Sequence, residues 1–132
     1  MVKKGLVPVK IRLTPKRAKI SAAHSLPCFG VDHPCARKHG HTWWIQATFE
    51  GYADDEGILI DYAVVREVAS ILDHRDLDSA MSAPPTGENI LAWAVGEFSR
   101  RASERPDCCV VRVEVVEDPI PGDGHVLVWE AA

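Results

Sequence analysis

The triplet His39-Gly40-His41 is the feature of this sequence with the clearest chemical meaning. Its surroundings alternate between apolar and polar residues, and residues two apart on a strand point to the same side of a sheet. The two imidazoles are therefore expected to converge. His24 has the matching parity on the preceding segment, and the connection at residues 25–38 can bring it alongside. Three imidazoles with one open position are typical of a catalytic zinc site. The alternative is three hydrogen-bonded core histidines, which would be costly to bury without a shared cation.

Two further groups of residues could move protons. Cys35 lies four residues before His39, where a metal ion would favour its thiolate form. The spacing leaves open a metal ligand, a catalytic thiol and a buried small residue. Asp73 and His74 are adjacent at the end of a predicted helix, and a carboxylate beside an imidazole suits proton transfer near neutral pH. The alternative for this pair is a polar helix end in solvent.

Glu117 ends the apolar face of a predicted strand that carries Val111, Val113 and Val115. A carboxylate in that position needs hydrogen-bond donors, from the protein or from a ligand. A guanidine-like ring edge with two neighbouring N–H groups would match it bidentately. The alternative is an acid at a strand end that reaches solvent, next to Asp118.

Apolar alternation predicts strands over residues 16–26, 39–50, 108–117 and 125–130, with a further strand over Val7–Leu13. Cys109 is expected on the inward face of the third of these, with Val111. Asp61 and Thr86 are expected to cap two helices that follow them. The order of elements predicts an α+β fold, in which an antiparallel four-stranded sheet carries two helices on one side.

The composition is that of one globular domain spanning residues 1–132. The chain has 132 residues, of which 46% are hydrophobic, and a formal net charge of -4. No apolar stretch is long enough for a membrane span, and the N-terminus lacks the apolar core of a signal peptide, so we expect a cytoplasmic protein whose four cysteines are thiols. Seven basic residues and no acidic ones precede Asp32. Because this segment alternates like a half-buried strand, we expect a charged strand face that could favour a phosphate-bearing substrate, not nucleic-acid binding.

Several short motifs together resemble the 6-pyruvoyl-tetrahydropterin synthase superfamily, specifically its 6-carboxytetrahydropterin synthase branch. In chain order they are Ala22-Ala23-His24, Cys35-x-x-x-His39-Gly40-His41, Gly57 to Asp61, Leu72-Asp73-His74, Pro85-Thr86-Gly87-Glu88-Asn89 and Glu117. They cover roughly residues 17–130, and the gap between Cys35 and His39 resembles the carboxy-forming type. Residues 1–15 are an N-terminal addition to this pattern.

The resemblance implies the tunnelling fold, in which the sheets of three chains join in a twelve-stranded barrel. It implies a homo-oligomer, a trimer or two stacked trimers forming a hexamer, with active sites between subunits. Zn²⁺ would be held by His24, His39 and His41 and would bind the side-chain hydroxyls of dihydroneopterin triphosphate. The implied reaction releases triphosphate and acetaldehyde and forms 6-carboxytetrahydropterin, on the path to queuosine and other 7-deazapurines.

The resemblance also implies roles for the remaining site residues. Cys35 would be the thiolate base, and Asp73 with His74 would complete a proton relay. Glu117 would anchor the amino-pyrimidine edge of the pterin, and Thr86 would lie at the pocket wall.

Three departures from the family pattern bear on the shape of the pocket: Ile20, Asp78 and Asp118 stand where Phe, Asn and Thr are common. Pyruvoyl-type elimination and aldolase-like cleavage on the same scaffold remain open, as does a non-catalytic protein with a structural zinc site.

Overall fold

Long β-strands account for most of the residues around the predicted histidine site. The computed structural model describes residues 7–14, 18–120 and 123–132. In chain order its elements are β1 (Pro8–Leu13), β2 (Lys19–His24), β3 (His39–Tyr52), α1 (Val64–Leu72), α2 (Leu77–Ala80), α3 (Gly87–Ser103), β4 (Cys108–Ile120) and β5 (Asp123–Glu130). Two short 3₁₀ helices, Pro27–Phe29 and Pro34–Ala36, lie in the connection between β2 and β3.

Strand β3 is the centre of one antiparallel sheet. β4 pairs with one of its edges, and β5 pairs with β4. β1 and β2 lie end to end along the other edge, opposite residues 47–52 and 39–44 of β3. The sheet therefore contains five strands where four were predicted, because the N-terminal strand joins it.

The prediction of a strand over residues 16–26 is confirmed over Lys19–His24. The strand ends at His24, and residues 16–17 lie outside the described residues, as do 1–6 and 15 of the N-terminal addition.

The core lies between the helices and one face of the sheet. Its largest fully buried side chains are Trp43, Phe49, Phe98, Ile20, Ile45, Leu72, Leu77 and Ile90. The opposite face of the sheet carries charged side chains such as Arg12 on β1 and Glu114 on β4, which form an ion pair. This arrangement confirms the α+β fold with helices on one side of an antiparallel sheet, although the structure adds the short helix α2 to the two helices that were predicted.

A register shift between β3 and β4 corrects the predicted inward face of β4. Phe49 lies opposite Val110 and Thr48 lies opposite Arg112, so Val111 has no partner on β3. The alternation on β4 changes at this bulge, which leaves Cys109 exposed and buries Val110. The predicted inward positions of Cys109 and Val111 are therefore wrong, whereas those of Val113 and Val115 are confirmed.

The two predicted helix caps have different outcomes. Thr86 caps α3 as expected, because its hydroxyl accepts a hydrogen bond from the backbone N–H of Asn89 at 3.1 Å. Asp61 does not cap α1, which begins after Ala63 without a side-chain cap. The Asp61 carboxylate instead accepts from the backbone N–H of Ala63 within the turn that precedes the helix. Of the helices described, none is both long enough and apolar enough to cross a membrane.

Candidate metal centre

The three predicted histidine ligands meet at one end of the sheet. His24 lies directly opposite His39 across the β2–β3 pair, and His41 follows on the same face of β3. The ring centroids are 4.5 Å apart for His24 and His39, 4.7 Å for His39 and His41, and 5.1 Å for His24 and His41. One nitrogen of each ring lies within 4.8 Å of the others. The strand period therefore predicted the convergence of these side chains correctly.

Each of the three rings uses its Nδ1 for a hydrogen bond outside the cluster. The Nδ1 of His24 lies 2.7 Å from the carbonyl oxygen of Pro85, and that of His39 lies 2.7 Å from the carbonyl oxygen of Arg37. The Nδ1 of His41 contacts a carboxylate oxygen of Asp118. All three partners are acceptors, so the network places a proton on each Nδ1, and in the neutral tautomer this leaves the Nε2 lone pair for a metal ion.

The lone pairs explain why the cluster fits a metal ion. The Nε2 atoms of His24 and His39 are only 3.0 Å apart, and neither carries a proton to donate to the other. His24 is buried, with 3% of its surface exposed, and this burial lowers its pKa despite the hydrogen bond with Pro85. Neutral imidazoles with converging Nε2 lone pairs and hydrogen-bonded Nδ1 atoms are the usual donor set for zinc in proteins. The residues present therefore fit the ion that the sequence predicted.

Two carboxylates lie beside the cluster. An oxygen of Glu117 is 3.3 Å from the Nε2 of His41, and Asp118 contacts the other nitrogen of the same ring. Burial alone would raise the pKa of Asp118, but hydrogen bonds from the backbone N–H of Thr42 and from His41 hold it below its usual value. Asp118 is therefore a carboxylate at neutral pH.

Glu117 also lies beside the first turn of α3. A Cβ placed on Gly87, the first residue of that helix, would be 3.7 Å from a Glu117 oxygen. Helix N-termini stabilise negative charge. Thr86 precedes Gly87 and uses its hydroxyl to cap the helix, so the structure brings both predicted substrate-binding residues to this end of α3.

Cys35 lies on the second 3₁₀ helix, in the connection between His24 and His39. Its thiol is partly exposed, and it does not belong to the groups of possible metal ligands found among the described residues. Its carbonyl oxygen accepts from the backbone N–H of Leu26 at 2.7 Å, and its own N–H donates to the Nδ1 of His33 at 3.0 Å. The backbone around Cys35 is therefore anchored by two hydrogen bonds.

The Asp73–His74 pair lies at the end of α1, as predicted. Asp73 accepts from the backbone N–H of Ser21 at 2.8 Å and contacts the Nδ1 of His74 at 3.0 Å. Burial would raise the pKa of Asp73, but these two donors lower it. The ring of His74 is 82% exposed, and its backbone has the positive φ of 58°. Within one chain, the hydrogen bonds of the described residues do not join this pair to Cys35 or to the three histidines.

A comparison with protein families covers most of the chain. Residues 14–121 match the family model described as 6-pyruvoyl tetrahydropterin synthase. The chain belongs to the 6-pyruvoyl tetrahydropterin synthase family. The matched range contains all of the predicted site residues.

Solved structures of 6-pyruvoyl tetrahydropterin synthases share the fold of this family member, and curated relatives match parts of its sequence. The 6-pyruvoyl tetrahydropterin synthase of Caenorhabditis elegans has a TM-score of 0.65 at 19% identity over 100% of both chains. That of Plasmodium vivax has a TM-score of 0.62 at 14% identity and covers 95% of this chain and 99% of its own. The 6-carboxy-5,6,7,8-tetrahydropterin synthase of Bacillus subtilis is 33% identical over 81 residues, which are 54% of this chain and 55% of that protein. The chain spans only 36% to 55% of the length of the curated relatives that it matches.

Sequence reasoning missed the hydrogen-bond partners that hold the three rings of this family member. Two of them are the backbone carbonyls of Pro85 and Arg37, and every residue has such a group, so residue types could not predict these contacts. In the sequence, Asp118 was noted as a neighbour of Glu117 and as a departure from the family pattern, but not as a partner of His41. Its one signal is that aspartate tolerates the left-handed backbone, here with φ 46°, better than most residues.

A set of polar contacts, the polar clamp of Asp78, Ser25 and Lys38, joins the two ends of the connection that carries Cys35. Asp78 accepts from the backbone N–H of Ser25 at 2.8 Å and from its hydroxyl at 2.6 Å, and it lies 3.0 Å from the ammonium of Lys38. Lys38 also pairs with Asp76. Because Ser25 follows His24 and Lys38 precedes His39, the clamp ties both ends of the connection to one side chain. Partial burial would raise the pKa of Asp78, but these donors lower it to about 2.

Replacing Asp78 with asparagine should lower the free energy of unfolding by about 1 kcal/mol at neutral pH. The folded state depresses the pKa of Asp78, so the contribution of this carboxylate to protein stability depends on pH. The contribution is complete above about pH 4, the usual pKa of an aspartate, and is lost as the pH falls toward about 2. Chemical denaturation at several pH values should show the two proteins converging in acid. The exposed Asp55→Asn should match wild type throughout, and a constant difference for Asp78→Asn would contradict the assignment.

Proposed function

We propose that this protein is a zinc-dependent lyase that converts 7,8-dihydroneopterin triphosphate and water to 6-carboxy-5,6,7,8-tetrahydropterin, with release of acetaldehyde and triphosphate. The observation that carries the proposal is the convergence of one nitrogen from each of three imidazoles, with Glu117 beside them, in a chain of this family. The curated relatives that it matches are named as synthases of this product, which favours the carboxy-forming reaction. The product would be an intermediate in the biosynthesis of queuosine or another 7-deazapurine.

The ligands in this proposal are His24, His39 and His41. A bound zinc ion supplies a Lewis acid that polarises hydroxyl or carbonyl oxygens of the substrate side chain. The protein binds the other end of the substrate through Glu117, whose carboxylate accepts two N–H groups of the pterin ring. Thr86 caps α3 beside this carboxylate and fixes the wall of the pocket.

Cys35 is the proposed base. Its thiolate takes protons from side-chain carbons of the substrate, at a position where the anchored backbone fixes its approach. Asp73 orients the ring of His74, which relays protons. The exposure of that ring in one chain supports a site completed between subunits, where His74 lies against the substrate bound to a neighbouring chain.

The open edges of the sheet support assembly. β5 forms one edge, and β1 with β2 forms the other, and closure into a barrel removes such edges. We expect trimers, or hexamers of two trimers, at micromolar concentration. Light scattering should report three or six chains, and a stable monomer would contradict the proposed site between subunits.

One incubation tests the reaction. The zinc-loaded protein is mixed with 7,8-dihydroneopterin triphosphate, and the products are identified by mass spectrometry together with an assay for acetaldehyde. Formation of 6-carboxytetrahydropterin with acetaldehyde is the expected result. A pyruvoyl product without acetaldehyde would place the protein with the pyruvoyl-forming members, and zinc binding without any product would indicate a structural zinc site.

Glu117→Ala should raise the KM for the pterin substrate more than it lowers kcat, because the ring N–H groups lose their acceptor on binding. A loss of about 1–3 kcal/mol of binding corresponds to roughly 5- to 150-fold in KM. Steady-state kinetics with the zinc-loaded variant provide the measurement. Glu114→Ala, on the charged face of the same strand, is the matched control and should keep the wild-type KM. A wild-type KM in Glu117→Ala would remove this residue from the pterin site.

A further inference from the structure

Asp118 makes two hydrogen bonds that join the end of β4 to β3. One carboxylate oxygen accepts from the backbone N–H of Thr42 at 2.9 Å. The other contacts the Nδ1 of His41 and leaves Nε2 on the opposite side of the ring, 3.3 Å from an oxygen of Glu117. The second bond gives His41 a charged acceptor, whereas the rings of His24 and His39 bond to backbone carbonyls. His41 is therefore the one ring of the cluster whose partner a side-chain substitution can remove.

The backbone at Asp118 explains how two consecutive acids reach the same ring. In a regular strand, Glu117 and Asp118 would point to opposite faces of the sheet. Here the pairing of β4 with β5 shifts between Glu117 and Ile120, and Asp118 has a φ of 46°. Gly124 permits this bulge, since a Cβ there would lie 2.9 Å from the carbonyl oxygen of Asp118. The bulge turns the Asp118 carboxylate back toward β3.

We propose that Asp118 is a positioning residue for the metal: its carboxylate holds the proton of His41 on Nδ1 and fixes the ring so that Nε2 faces the metal. The inference rests on the metal site of the proposed function and adds to it the residue that sets one ligand. A carboxylate behind a ligating imidazole fixes the tautomer and raises the basicity of the ligand. Loss of such a partner typically costs 10- to 100-fold in metal affinity.

Two substitutions separate this role from a role in folding. Asp118→Gly removes the carboxylate and suits the positive φ, so the fold should persist. Asp118→Asn also tolerates this φ and keeps an acceptor for Thr42, but it presents an amide NH₂ group to the Nδ1 of His41. That donor favours the tautomer with the proton on Nε2, and a protonated Nε2 has no lone pair for a metal. The asparagine variant should therefore lose at least as much affinity as the glycine variant.

The measurement is competition for Zn²⁺ against a chromophoric chelator, with Glu130→Gln as the control. Glu130 is an exposed strand carboxylate that pairs with Arg112 far along the sheet from the histidines. We expect a 10- to 100-fold loss of affinity in both Asp118 variants and none in the control. The visible absorption of the Co²⁺-loaded asparagine variant should also differ from that of wild type, since it reports the geometry of the ligands.

The outcomes distinguish the inference from the site on which it rests. Zinc affinity within threefold of wild type in both Asp118 variants would overturn the role of Asp118 and leave the metal site intact. An equal loss in Glu130→Gln would also overturn it, because the effect would then be a general consequence of removing a strand carboxylate. Wild-type protein that binds no zinc would instead refute the metal site itself.

Discussion

His41→Ala should lose most of its zinc and, with it, nearly all turnover. Wild-type protein should bind about one zinc per chain, and removal of one of three imidazole ligands leaves too few protein donors to hold the ion. Metal analysis of the dialysed proteins provides the measurement. The loss should be larger than in the Asp118 variants, because the substitution removes a ligand and not its hydrogen-bond partner.

His33→Ala is the matched control for this experiment. His33 lies in the connection between β2 and β3 and contacts the backbone N–H of Cys35, but it is not part of the described histidine cluster. Its zinc content should remain at the wild-type level. Undiminished zinc in His41→Ala would refute the assignment of the ligands, whatever the control shows.

Cys35→Ala should keep its zinc and its substrate affinity while turnover falls by roughly 100-fold or more, the usual cost of removing a general base. Zinc content is expected to survive because the thiol does not belong to the described group of possible ligands. Zinc analysis, equilibrium binding of the substrate and single-turnover kinetics measure the three quantities separately. Cys35→Ala combined with His74→Ala should be little worse than either alone, because both residues serve one proton relay.

Cys28→Ala is the control, since Cys28 is an exposed thiol on the neighbouring 3₁₀ helix. It should have wild-type kcat and zinc content. Cys108 offers a contrast, because burial raises the pKa of its thiol to about 11, so it is inert as a base at neutral pH. Full activity in Cys35→Ala would exclude it as the base, and loss of zinc would make it a ligand.

The face of the sheet that carries the histidine cluster could be predicted from sequence because strand geometry has a fixed period. Once His24, His39 and His41 were assigned to strands, their parity alone placed the three rings on one face. The cap at Thr86 and the N-terminal strand follow from equally local rules, and both are confirmed, although in that strand only Leu13 is buried and Ile11 partly buried.

Features that depend on pairing between distant segments could not be predicted in the same way. The bulge opposite Thr48 changes the parity of β4, and nothing in the local alternation of Val111 and Val113 marks the point where it occurs. Asp61 has the residue type of a helix cap but bonds within the preceding turn. The four-residue helix α2 is too short for a period to be visible.

The hydrogen-bond partners of the three histidines could not be predicted from the sequence either, because they also depend on contacts between distant segments. Residue types identified the three imidazoles, but the acceptors behind them come from other parts of the chain: Pro85 before α3, Arg37 before β3 and Asp118 in the bulge after Glu117. Two of these are backbone atoms, and the third depends on an irregular φ. The geometry of the surrounding hydrogen bonds therefore required the structure.

The candidate site is divided between the sheet, which carries the three histidines, and the connection between β2 and β3, which carries Cys35. The imidazoles are fixed by two paired strands, whereas Cys35 lies on a separate segment whose ends are held by Asp78. The carbonyl oxygen of Arg37 holds the ring of His39, so only the part of the segment before Arg37 can change freely. Insertions, deletions or substitutions there can replace the proposed base while the hydrogen bonds of the three rings stay in place. If the proposed roles hold, a lineage built on this scaffold can change its reaction by altering one short segment while the three histidines stay as they are.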